Sequence, residues 1–284
     1  MSIWRRPWFL WTAEILLVLI CCLGAWKLVA NRVTSGDDYI AMPDDVVVTP
    51  LPQWIQTDVK RQVLQNASLD DGESILDGDL VRRFADAFPM HPWVESVKSV
   101  RKQYPATVIV DIIYRKPVAM VVVPDGLYAV DVNGVLLPSE DFTEDSAARY
   151  PRIDEMTVPP QGQVGDAWGD GRVAAASRLA AALQEHWSDW ELSRIVPARN
   201  SPPAGEPSFE IVTQSGGRIN WGIAPSLESL RAAQPDHRID QLTQYAAEHG
   251  SVNLEATQQL NLNGPATDGT RQAAQPANGQ QSQR

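Results

Sequence analysis

The chain has 284 residues and a formal net charge of −11. Arg5, Arg6, Lys27 and Arg32 meet only Glu14 among the first 32 residues, so the rest is more acidic still. Such a surface repels phosphate backbones and argues against a nucleic-acid partner.

The two cysteines, Cys21 and Cys22, are adjacent within an apolar run and cannot staple distant parts of the chain. Bulky Ile20 stands where a lipoprotein acceptor site needs a small residue. A remainder without cysteine fits an oxidising compartment.

In chain order, the first signal is "PWFLWTAEILLVLICCLGAWKLVA". It predicts a transmembrane helix over residues 8–30, after a cytoplasmic stub at 1–7. Trp8 and Trp11 mark one interface and Trp26 the other; Trp8 and Trp26 would lie roughly 27 Å apart along a helix. A cleaved signal peptide is the competing reading, but no small-x-small site follows the run. Arg5 and Arg6 favour a cytoplasmic amino terminus, an extracytoplasmic bulk and an inner-membrane location. Glu14 falls inside the span. It is a candidate for a membrane partner, or else reaches the headgroups of a tilted helix.

A linker at 31–43 leads to "VVVTPL", read as a strand. "QWIQTDVKRQVL" places Trp54, Val59 and Val63 at helical spacing. "LDGDLVRRFADAF" starts a second helix near Asp77 or Asp79, ended by Pro89 and Pro92. "WVESVKSV" and "ATVIVDIIY" are strands; in the second, Val108, Val110, Ile112 and Tyr114 share one face. The order strand, helix, helix, strand, strand makes a small α+β module over 44–117. "RKP", Arg115 to Pro117, reads as a seam, because Pro117 suits a strand end or an edge.

Beyond the seam, "VAMVVV", "GLYAVD" and "GVLLP" predict a meander with a tight turn at Asn133 and Gly134. "GRVAAASRLAAALQEHW" is helical, with Leu179, Leu183 and Trp187 at four-residue steps. "SFEIVTQSGGRINWGI" is a hairpin turning at Gly216 and Gly217. "SLESLRAAQ" and "IDQLTQYAAEHG" are helices, and "SVNLEATQQLNL" is a last strand. These elements define a β-rich domain with flanking helices over 118–263. Residues 264–284 hold no aromatic or long aliphatic residue, and disorder is expected there.

The segments "HPWVESVKSVRKQYP", "VDIIYRKPVA", "LYAVDVNGVLL", "GGRINWG" and "VNLEA" occur in that order. In order and spacing the chain resembles the FtsQ/DivIB family of bacterial cell-division proteins, from Trp8 to about Asn263. The resemblance implies a POTRA module followed by the family's β domain. It also implies no enzymatic activity, no cofactor, and a scaffold role in septum formation within the divisome. The implied partners are FtsB/FtsL-like proteins, captured by strand addition at the last strand of the β domain. Carried to this sequence, the partner strand is Ala256 to Asn263, and the contact candidates are Ala256, Gln258, Gln259, Leu260, Asn261, Leu262 and Asn263. Tyr114, Asn253 and Ala256 depart from the family's habits, and the stretch from Trp93 to Tyr104 is one residue longer than usual in the family, consistent with a bulge.

Two rival readings remain. One is a POTRA-bearing envelope transport or assembly factor, though neither repeated modules nor a membrane barrel is evident. The other is an anchored enzyme. His91, His186, His237 and His249 lack metal spacing, and there is no nucleophile elbow or P-loop. In "GDAWGDGR", Asp166 and Asp170 oppose phosphate and suit a helix cap. Asp70, Asp71 and Glu73 read as a solvated loop.

Overall fold

A computed structural model describes residues 14–27, 37–199, 206–234 and 236–262. The chain is a mixed α/β structure built around one large sheet.

The predicted transmembrane helix requires correction. Among the described residues no helix is long and apolar enough to cross a membrane. Residues 14–27 form a helix, α1, exposed along its length. Between Glu14 and Lys27 the uncharged part of the described helix spans about 18 Å, against roughly 30 Å of hydrocarbon. Positions 8–13 and 28–30 of the predicted span, the stub at 1–7 and the tail at 264–284 lie outside the described residues.

The first unit holds a three-stranded sheet of order β2-β5-β4: β2 (Val46–Val48), β4 (Val94–Gln103) and β5 (Thr107–Tyr114). β2 runs parallel to β5, and β4 antiparallel to it. The register slips twice along β4, between Val94 and Ser96 and between Val97 and Ser99. A small ladder joins β1 (Ile40–Ala41) to β3 (Glu73–Ser74). Two helices cover one face of the three-stranded sheet. In α2 (Val59–Asn66), Asp58 caps the start by accepting from the Arg61 amide, which leaves Trp54 and Ile55 outside the helix. In α3 (Leu80–Ala87), Leu80, Phe84 and Ala87 are buried. They pack with Val108, Val110, Ile112, Phe88 and Trp93 in one core. Each fully buried large side chain contributes about 1.5–3 kcal/mol.

The second unit is a seven-stranded mixed sheet of order β12-β11-β10-β9-β8-β6-β7. Its strands are β6 (Pro117–Val123), β7 (Gly126–Asp131), β8 (Arg152–Ile153), β9 (Leu192–Pro197), β10 (Ser208–Thr213), β11 (Arg218–Ile223) and β12 (Gln259–Asn261). β6 pairs antiparallel with β7 and parallel with β8; β8 and β9 are parallel; β9, β10 and β11 are antiparallel neighbours. The core of this sheet lies beneath α5 (Gly171–Leu183) and α7 (His237–His249), which pack on Val121, Ile153, Ile195, Ile211 and Ile219. A short α4 (Glu144–Ala147) and α6 (Leu227–Arg231) complete the elements. Gly134 turns at φ 72°, and a Cβ there would stand 2.9 Å from the Ala174 backbone, so the turn presses directly on α5.

The seam at Arg115 is densely bonded. Its amide donates to the Trp93 carbonyl (2.8 Å), its carbonyl accepts from Trp54 Nε1 (3.1 Å), and its guanidinium pairs with buried Asp131 (2.8 Å). Asp131 also accepts from the Asn133 and Val135 amides. Met120, Ala129, Leu137 and Ala147, all beyond the seam, belong to the first core. The two sheets are therefore joined by shared packing as well as by the chain.

Candidate interaction site at the end of the large sheet

β12 stands at one end of the seven-stranded sheet, parallel to β11. Three devices fix its position. The first sits where α7 begins. Asp236 accepts from the Arg238 amide and from its guanidinium, which reaches on to the Trp221 and Ile223 carbonyls at 3.1 and 2.8 Å. That guanidinium also lies 4.5 Å from the Trp221 ring centroid. Burial pushes the Asp236 carboxyl up, but the Arg238 hydrogen bonds and charge outweigh it and hold the group below its ordinary value.

The second device is the exit from α7. Gly250 ends the helix with φ 77°, its amide on the Ala246 carbonyl. Val252 and Leu254 then drop into the core. The third is the β10–β11 turn. The Gly217 amide and the Thr213 hydroxyl both donate to the Leu254 carbonyl, at 3.0 and 2.7 Å. A Cβ at Gly217 would lie 2.4 Å from Leu254, so only glycine allows this approach. Asn253 accepts from the Ser215 amide and donates to Glu191.

The sequence-predicted contact residues divide among different surroundings. Ala256 is exposed before β12, and Gln258 closes a turn on the Glu255 carbonyl (2.8 Å). Gln259, Leu260 and Asn261 form β12; Leu260 packs on the core and Leu262 is buried. The strand is shorter than the predicted 256–263 because the Glu255–Gln258 turn occupies its start. Asn263 lies outside the described residues. Glu14 is far from this set in sequence and exposed on α1.

Hydrogen bonds to β11 come from the Leu262 amide to the Asn220 carbonyl and from the Arg218 amide to the Gln258 carbonyl, both 3.2 Å. In a parallel ladder the residues facing the neighbour alternate. The main chain of Leu260 therefore faces β11, and that of Gln259 faces the opposite flank, where no described strand lies.

Residues weighed for catalysis or metal binding, and Tyr114, which departs from the resembled family's pattern, have structural surroundings. Asp170 caps α5, accepting from the Arg172 amide and side chain, and the Arg172 bond draws its carboxyl below the ordinary value. Glu73 pairs bidentately with Arg83 at 2.6 and 2.7 Å. His91 is buried: its Nδ1 accepts from the Trp93 amide, so Nε2 carries the proton toward Gln62 Oε1. Burial lowers its pKa although Asp141 and Glu140 lie near. Tyr114 donates to the Thr49 carbonyl (2.8 Å), and burial pushes its hydroxyl up to about 12. Among the described residues, no group of three or more His, Cys, Asp or Glu is placed to hold a metal ion.

Sequence reasoning missed the Asp236–Arg238–Trp221 clamp. Its signal is an Asp-x-Arg at a helix start, and "DGR" at Asp170 repeats it. No family model matches the chain, and no curated protein does.

Proposed function

We propose that the chain is a non-enzymatic scaffold of the bacterial division complex, acting in septum formation on the extracytoplasmic side and holding FtsB/FtsL-like partners by strand addition at β12. The observation that carries this reading is the place of β12 at the end of its sheet, locked there by Gly217, Leu254 and the α7 clamp. The outward main chain of Gln259 would give a partner strand its affinity, and alternate side chains its selectivity.

The alternation within β12 picks the test. Proline at Leu260 would break the strand from β11 and disrupt the site itself. Gln259→Pro removes an outward N–H and leaves the β11 ladder intact. Capture of the host's FtsB/FtsL-like proteins should fall about tenfold with Gln259→Pro and stay unchanged with Gln259→Ala. Equal capture by both variants refutes strand addition. Depletion in the host should give filaments; an envelope secretion defect with normal division refutes the division role.

A further inference from the structure

A second feature lies away from β12, where β8 and β9 begin. A cleft of about 290 Å³ opens there between the segment after α4 and the turn before β9. Arg149, Arg152, Ser188, Ser193, Gln214 and Trp187 line it, and no Asp or Glu does. That is unexpected in a chain with 35 acidic residues. Neither Arg149 nor Arg152 pairs with a carboxylate among the described residues.

The sheet register sharpens the imbalance. Arg152 sits directly opposite Arg194 across the β8–β9 pair. Like charges at paired positions of one sheet face repel. Arg194 finds only Asp154, at 4.0 Å, and its Nε is buried without a hydrogen-bond partner. Two guanidinium groups, those of Arg149 and Arg152, thus line a cleft that supplies hydroxyl and amide groups but no compensating charge, and Arg194 pairs across the sheet from the second of them. An anion seated there would relieve the repulsion, and guanidinium forks match the oxygens of phosphate and carboxylate groups. At about 290 Å³ the cleft has room for one such group and lies at the lower edge of the range for small-ligand pockets.

We propose that this cleft is an oxyanion-binding site, taking one phosphate or carboxylate group on Arg149 and Arg152. The site is separate from β12 and stands whether or not β12 receives a partner strand. The test titrates the full chain at fixed ionic strength with inorganic phosphate and, separately, with a triglutamate peptide, following the amides of Ser188, Ser193 and Gln214 by NMR. A saturable shift with phosphate places the source among phosphoryl ligands; one with the peptide places it among carboxylates. Arg149→Gln and Arg152→Gln should each weaken that binding about tenfold. Arg101→Gln, at an exposed pair on β4, should leave it unchanged. Failure of both probes to saturate overturns the proposal, as does saturation that neither cleft substitution weakens.

Discussion

Asp141 offers the sharpest test of how the two sheets are held together. It is buried, and its Oδ1 accepts from the Gln56 amide (3.0 Å), the Thr57 amide (2.8 Å) and the Thr57 hydroxyl (2.8 Å). Its Oδ2 accepts from Trp93 Nε1. Asp141→Ala would strand four donors. Water can reach those of Gln56 and Thr57, which are part-buried, so each of those bonds costs about 1 kcal/mol or less. Trp93 is fully buried, and its unpaired indole N–H costs about 1–3 kcal/mol. The sum is roughly 1–6 kcal/mol, which brackets the cost found when a buried charged network loses one member. For a chain of this size that lowers Tm by about 2–24 °C. Urea unfolding followed by far-UV circular dichroism and tryptophan fluorescence reads the loss directly. Asp141→Asn keeps one acceptor oxygen and should lose less. A loss below about 1 kcal/mol for Asp141→Ala would refute the view that this carboxylate fastens the first unit to the second.

Two further outcomes follow from titratable groups. His91 has a folded pKa below its ordinary 6.5, so unfolding favours its protonation; its stabilising share is present above pH 6.5 and lost as pH falls below that. Urea midpoints at pH 7.5 and 5.5 should differ more in the native chain than in His91→Asn, and identical differences would contradict this. Asp236 has a folded pKa held below 3.8, so its contribution is present above that value and lost as pH falls through the folded pKa. Asp236→Asn should cost about 1–2 kcal/mol at neutral pH, flatten the acid limb of the stability profile, and reduce amide protection in α7 and β12; unchanged protection in β12 would show that the clamp does not position that strand.

Legibility in the sequence varied with the physics behind each signal. The alternation of "TVIVDIIY" is a local consequence of a sheet with one covered face, and it is the alternation of β5. The Gly216–Gly217 turn and the alanine-rich helix were similarly local. The apolar run at 8–30 predicts a membrane span, yet among the described residues no helix is long and apolar enough to make one, because Glu14 and Lys27 leave only twelve uncharged helical residues between them. Trp187 keeps the four-residue step of α5 but lies past its end, buried after a turn. Asp141 and Arg115 were illegible for another reason: their partners lie 85 and 16 residues away, and no local pattern announces a long-range acceptor. At β12, the turn at Glu255 and Gln258 shortens the strand, and the direction of each main-chain group follows only once its pairing with β11 is known.

The way β6 is buried has a consequence for recombination between related chains. Met120 faces the first core, while Val121 and Val123 face the second. A crossover at residue 117 would part Met120 from the side chains it evolved against, although the cut falls between two strands. A breakpoint after β7 would instead part Val121 and Val123 from the second core, so viable hybrids should inherit both units from one parent, and no breakpoint beside β6 should be tolerated.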